Sequence, residues 1–470
     1  EKIKYPLWNE ENDMPDDPRP YGIMGWHEGD SAVYVYDRYD VHKVVMSSTV
    51  QLLAITEGRA ENVEYRYIRT DMEERAIKWE GKNFFRATNK LTKKEIIGML
   101  GVTTRGKYVF LADSLQMVHY QFVAKAKFSD AIIVTKESFE SSPDLYSNYK
   151  IVNSSAGMID KPSIFYFSRQ LSSINPQQKD YNWGTAELYK WKAFNGKMSE
   201  GVLYKPEDFN PKKKYPMLMY FYETHSDELN TYIQPAPTPS RLNIPFFVSR
   251  GYVVFCPDIR YTNGHPAKSC YDYVVSAAQD LAKQKWIDAK NIGIQGQSWG
   301  GIQVAQLITM TDMFKAAWAG APVANMTSAY GGIRWESGVN RQFQYEKSQS
   351  RIGATLWEKP ELYIENSPLF HLPKVKTPLV IMSNDADGAV PWYQGIELFT
   401  AMRRLGKQVW MLNYNGEAHN LVERKNRKDI QIREQQYFDW LLKGAKPPKW
   451  ITEGVPAVKK GKEWGLELVD

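Results

Sequence analysis

The segment that most restricts the fold is 291–310. A short apolar strand there runs into Gly296-Gln297-Ser298-Trp299-Gly300-Gly301, and a helical stretch, Ile302–Met310, leaves it. Taken alone, a serine among glycines is an ordinary turn. Between a buried strand and a helix the same residues have to reverse the chain sharply at the end of a sheet. Small neighbours let such a turn close, and the residue at its apex is then lifted above the sheet with its side chain exposed.

The surrounding sequence supplies the sheet. Beyond Trp191, apolar strands at Met217–Tyr222, Tyr252–Pro257, Ile292–Ile294, Ala316–Ala319, Leu379–Met382 and Val409–Tyr414 alternate with helical stretches such as Tyr271–Trp286 and Trp392–Leu405. In the first of these helices Val274, Val275, Ala278 and Leu281 share one face. Continuous apolar strands separated by crossover helices predict a doubly wound, mainly parallel sheet covered on both sides, the α/β-hydrolase architecture. The Pro- and Lys-rich stretch from Pro206 to Pro216 is a loop within it.

Residues 1–190 read differently. Short aromatic and β-branched runs, among them Ala32–Tyr36, Val63–Ile68, Tyr108–Leu111 and Ile132–Val134, are separated by turn residues. A high aromatic content, 15 Trp, 29 Tyr and 19 Phe, suits this density of strands. Repeated small antiparallel sheets are expected, as in a β-propeller. At roughly 40–45 residues per blade the segment holds about four. The expected organisation is the C-terminal part of a propeller over 1–190, an α/β-hydrolase catalytic domain over 191–450 and a tail over 451–470.

Composition narrows the function. The net charge of +6 is small for 470 residues, and Lys and Arg are interspersed with nearly as many acids. Lys212–Lys214 beside Pro211 is a solvated turn, and no basic stripe marks a nucleic-acid partner. No stretch of 18 apolar residues is present to form a membrane-spanning helix. Cys256 and Cys270 stand far from any histidine cluster, so no metal site and no cofactor are expected. They read as two buried thiols, with a single disulfide as the alternative.

A serine hydroxyl needs a base, and the base needs a carboxylate to orient it. In an α/β-hydrolase the chain order is serine, acid, histidine, with the last two on loops after later strands. Leu379–Met382 is followed by Ser383-Asn384-Asp385-Ala386-Asp387-Gly388, and Val409–Tyr414 by Asn415-Gly416-Glu417-Ala418-His419. Of seven histidines, His419 is the one placed after a terminal strand. His265 and His371 lie beside prolines in loops and read as surface residues. Spacing alone leaves Asp385 and Asp387 both open as the acid.

Together, the stretch Gly251–Tyr261, the GQSWGG turn, the Asp387-Gly-Ala-Val-Pro391 loop and Gly416-Glu-Ala-His419 resemble the prolyl oligopeptidase family of serine peptidases. That family includes dipeptidyl peptidase IV and acylaminoacyl peptidase. The resemblance is strong over about residues 195–445. It implies a propeller ahead of the hydrolase domain and a triad of Ser298, Asp387 and His419. Asp387 is selected over Asp385 because it stands three residues before Val390, as in the family's D-x-x-V pattern. The oxyanion hole it implies joins the Trp299 backbone N–H to the hydroxyl of Tyr222, which here lacks the two glycines that usually follow it. Trp299, Val390 and Tyr330, the last after Ala321-Pro322-Val323, are the implied substrate-pocket residues. The family's substrate-binding Asn in this loop is replaced by Ala389, so cleavage after proline is not implied.

The expected activity is hydrolysis of short peptides through an acyl-enzyme. The alternatives are an ester hydrolase on the same triad and a catalytically idle binding or scaffold protein. Seven or eight blades are usual in the family, so the propeller is expected to be incomplete. An N-terminal fragment of the same protein or another chain would then complete it. Resemblance to bacterial members favours a periplasmic or secreted location, with a cytoplasmic one left open.

Overall fold

The computed structural model describes residues 3–46, 51–79, 83–102, 107–150 and 165–469. The chain forms two units. One comprises Glu1–Asn12, Asp17–Asp180 and Asp227–Tyr232, and the other Asp13–Asp16, Tyr181–Ser226 and Ile233–Asp470.

The first unit holds three four-stranded antiparallel sheets among the described residues, where the repeat length led to about four. The first is β1 (Ile23–Trp26), β2 (Ala32–Tyr36), β3 (Val41–Val45) and β4 (Gln51–Ala54). The second is β5 (Val63–Ile68), β6 (Asn83–Asn89), β7 (Glu95–Val102) and β8 (Tyr108–Leu111). The third is β9 (His119–Lys125), β10 (Ile132–Glu137), β11 (Asp144–Lys150) and β12 (Phe165–Gln170). Each is a meander in which sequence neighbours pair. Alternation puts Ala32, Tyr34 and Tyr36 on the buried side of β2. Tyr34, Val41 and Ile55 pack with Phe85 and Leu100 of the second sheet. Phe84, Ile97 and Met99 of that sheet pack with Tyr120, Ile132 and Val134 of the third. Sheets joined in series through apolar faces are the blade-on-blade packing of a propeller.

The second unit is built on one mixed sheet of eight strands. In chain order they are β13 (Gly184–Lys192), β14 (Met198–Pro206), β15 (Tyr215–Tyr220), β16 (Val253–Pro257), β17 (Ile287–Gln297) and β18 (Ala316–Gly320). A two-stranded ribbon, β19 (Ile333–Arg334) and β20 (Val339–Asn340), precedes the last two, β21 (Leu379–Met382) and β22 (Val409–Leu412). Spatial order is β13-β14-β16-β15-β17-β18-β21-β22, antiparallel at the first two pairings and parallel from there on. Gly184–Lys192, grouped by its composition with the β-rich half, is the edge strand of this sheet. Its Trp191 packs on Phe255, and its indole N–H donates to Ser276 Oγ at 2.9 Å.

Helices cover both faces, which is why β16, β18 and β21 are buried throughout. The helix expected over 271–286 begins earlier, at Pro266, passes through a π-helical turn at Tyr271–Val275 and ends at Leu281. Proline starts a helix readily because its missing N–H is unneeded in the first turn. The segment after 451 turns back on the domain: Trp450 N–H donates to Gly465 O at 2.9 Å, and Pro448 bridges Leu468. Cys256 and Cys270 are both buried and are not joined to each other, so the disulfide alternative falls away.

Candidate active site

Strand β17 ends at Gln297 and the helix Trp299–Met310 begins two residues later, leaving Ser298 alone at the turn with φ 60° and ψ −114°. A non-glycine residue held there costs roughly 1–3 kcal/mol, which the surroundings must offset. The Ser298 N–H donates to Gly320 O at 2.8 Å, and its carbonyl accepts from Ile302 N at 3.1 Å. Two glycines make the turn possible. A Cβ at Gly296 would lie 2.4 Å from the Gly300 carbonyl carbon, and one at Gly300 would lie 2.3 Å from Phe221 O. The second contact also seats the start of the helix against the residue before Tyr222.

The loops after β21 and β22 meet beside this turn. Asp387 is buried, with Oδ1 accepting from the backbone N–H groups of Ala389 and Val390 at 2.8 Å each. Its Oδ2 lies 2.7 Å from His419 Nδ1, so the ring donates from Nδ1 and leaves Nε2 as its other face. The His419 carbonyl accepts from Gln297 Nε2 at 2.9 Å, which ties the histidine loop to the residue preceding Ser298. Asn384 Nδ2 donates to Ala418 O at 2.8 Å and joins the two loops. Asp385 does something else. It is exposed and accepts from Gly416 N at 2.7 Å and Asn415 Nδ2 at 2.5 Å. Those two bonds hold its carboxyl below the usual range and brace the histidine loop from outside.

Strand β15 stops at Tyr220, short of the Tyr222 expected as its last residue, so Tyr222 lies on the loop beyond it. Its carbonyl accepts from Tyr261 Oη at 3.0 Å, and its hydroxyl oxygen accepts from Gln349 Nε2 at 3.0 Å. Tyr261 is the hub of this corner. Its oxygen accepts from Trp299 Nε1 at 3.0 Å and from Gln303 Nε2 while its proton goes to Tyr222. Burial pushes its phenol well above the ordinary value, so it remains a donor. The buried Arg351 guanidinium lies 4.1 Å from the centre of the Tyr261 ring and is paired with Asp13 and Glu223. Neither Tyr261 nor Gln349 was singled out for this role from sequence.

A depression opens beside Ser298, about 340 Å³ including its mouth. Trp299, Ile302, Val323, Met326 and Val390 form its apolar wall. Arg334, Arg341, Gln344, Tyr345 and Gln349 supply its polar lining. Trp299 and Val390, two of the expected substrate-pocket residues, are among those that line it. Tyr330 does not: the helix Met326–Tyr330 turns its ring into a cluster with Tyr345, Trp357 and Tyr363, and its hydroxyl donates to Glu346. Tyr345 is the aromatic that reaches the wall.

Residues 239–445 match the prolyl oligopeptidase family. Among curated proteins, the chain is 24% identical to the uncharacterized peptidase YuxL of Bacillus subtilis over 282 residues, 56% of this chain and 40% of that one. It is 30% identical to mouse (Mus musculus) dipeptidyl peptidase 8 over 233 residues, 47% of this chain and 25% of that one. The chain thus spans less than half the length of these relatives. Among solved structures it superposes on Porphyromonas gingivalis dipeptidyl peptidase 4 with a TM-score of 0.62 at 18% identity, covering 87% of this chain and 54% of the other. Pyrococcus horikoshii acylaminoacyl peptidase gives 0.62 at 18% identity, covering 94% and 66%. These likenesses carry the fold, a β-propeller-like region followed by an α/β-hydrolase domain. With the Ser298 turn and the Asp387 and His419 loops in the family's order, residues 239–445 are a prolyl oligopeptidase family domain.

Proposed function

We propose that this chain is a serine peptidase acting on short peptides, with Ser298 as nucleophile, His419 as general base and acid, and Asp387 as the orienting carboxylate. The observation that carries it is a strained serine at the end of β17 whose neighbour Gln297 bonds the backbone of His419, an imidazole held at 2.7 Å by a buried carboxylate. Ser298 Oγ attacks the scissile carbonyl carbon and its proton passes to His419 Nε2. As the tetrahedral intermediate collapses, the C–N bond breaks and the same proton goes to the leaving amine. Water then repeats the sequence on the acyl-enzyme, releasing the acid and restoring the serine. Asp387 holds the tautomer with Nδ1 protonated, which keeps Nε2 available as the base.

The oxyanion donors are the Trp299 N–H and the Tyr222 hydroxyl. Because the Tyr222 oxygen already accepts from Gln349, its own proton is free to be donated. A fluorophosphonate probe tests the nucleophile directly: labelling should occur at Ser298 and vanish in Ser298→Ala. Parallel turnover of matched peptide and ester libraries tests the bond type. Ester-only turnover would make the chain an esterase, and no labelling would leave it a binding protein.

The β-rich unit carries exposed apolar side chains in its first sheet, with Ile23 63% and Leu53 48% accessible. We propose that such surface is covered by further blades, from an N-terminal part of the same protein or from another chain, since exposed apolar strand surface promotes association. This chain alone should then self-associate in light scattering. A monodisperse monomer would reject the idea.

A further inference from the structure

Arg341 is fully buried, yet its guanidinium is mostly unused. Nη1 donates to the Ala389 carbonyl, while Nε and Nη2 have no hydrogen-bond partner among the described residues. The buried Tyr345 hydroxyl lines the same depression and faces this guanidinium, which offsets part of the rise that burial gives its phenol, but it brings no negative charge. Arg334 adds a second cation, and no Asp or Glu lines the depression. A buried guanidinium without a carboxylate is costly, because its desolvation is not repaid by any anion. The missing partner is an acceptor that arrives from outside, and the planar fork of donors suits a carboxylate.

Ser298 lines the same depression as this arginine. In a peptide, the side chain just before the scissile bond sits on the atom next to the attacked carbonyl carbon. Of all substrate side chains it must lie nearest the serine. Resting on the serine-peptidase reading above, we propose that this depression is the specificity pocket for the residue preceding the scissile bond, and that Arg341, supported by Arg334, selects Glu or Asp there. Trp299 and Val390 would pack the methylene part and the guanidinium would take the carboxylate.

The test uses the full chain and fluorogenic peptides that differ only at this residue: Glu, Asp, Gln, Ala and Pro. Active sites are counted by fluorophosphonate labelling. Charge-assisted hydrogen bonds to a buried cation should favour Glu or Asp over Gln by about 10–100-fold in kcat/KM. Arg341→Met should bring that ratio to about one. A flat profile, or Ala or Pro leading in the unmodified chain, overturns the proposal without any variant having to fold. So does an Arg341→Met variant that loses activity equally on Glu and Ala peptides, since its arginine would then only hold the Asp387 loop through Ala389. Normal labelling with the wrong profile rejects this inference alone, whereas absent labelling rejects the serine reading with it.

Discussion

Replacing Asp387 with Asn changes one atom, and the structure says what that atom does. Asp387 Oδ1 accepts two backbone N–H groups at 2.8 Å, and Oδ2 faces His419 Nδ1 at 2.7 Å. An asparagine can keep only one oxygen. If that oxygen stays with Ala389 and Val390, the amide NH₂ faces His419 and donates to Nδ1. The imidazole proton must then sit on Nε2, the nitrogen that has to accept from Ser298. If the amide flips, two backbone donors face an NH₂ and the loop loses its anchor. The first outcome costs less and gives a folded enzyme with the wrong tautomer. Loss of the triad carboxylate is worth roughly 10⁴ in kcat, or about 5.4 kcal/mol of transition-state stabilisation. Asp385→Asn keeps an oxygen for Gly416 and alters only an exposed brace, so a loss below about tenfold is expected. Initial rates on one fluorogenic peptide, with active sites titrated and thermal melts run in parallel, compare the two. Asp385→Asn as damaging as Asp387→Asn, or worse, would refute the assignment of the acid.

Ser298→Ala should lower kcat by on the order of 10⁶ while peptide binding persists, and a variant within about tenfold of the parent would reject the nucleophile. Tyr222→Phe should lower kcat by roughly 10²–10³ with KM nearly unchanged. An effect seen only in KM or melting temperature would return Tyr222 to a packing role. Glu434 is fully buried and is held by Gln295 Nε2 at 3.2 Å; burial raises its carboxyl well above the ordinary range. The folded state therefore keeps a proton that the unfolded chain loses, so stability declines as pH rises from about 4.3 toward the folded value. Glu434→Gln should flatten the fall in melting temperature over that window, and an unchanged slope would show that Glu434 is not its source.

The half beyond Trp191 was legible because its signals are local. A nucleophile turn needs a strand, small residues and a helix in direct succession, all within 291–310. The acid and histidine loops declare themselves by following strands of apolar residues, since a doubly wound sheet presents its functional loops at strand ends. The choice between Asp385 and Asp387 lay beyond spacing. Both sit in one loop, and only the fold shows one carboxylate turned inward to His419 and the other outward to Gly416. The strand Gly184–Lys192 was misgrouped for a similar reason. Its alternation is that of any antiparallel edge strand, whichever sheet it joins.

The sheet class, the turn at Ser298 and the loops after β21 and β22 that bear Asp387 and His419 could all be read from residues close together in the chain. These follow from periodicity and from steric rules over a few neighbouring residues. What surrounds the serine was decided only in three dimensions. Gln349 reaches Tyr222 across 127 positions, Tyr261 reaches Trp299 across 38, and Arg341 reaches Ala389 across 48. No spacing rule relates such pairs, because the chain between them is free in length and form until the core packs. A glutamine or arginine becomes part of a site only when packing strips away its water and leaves its donors facing the cavity.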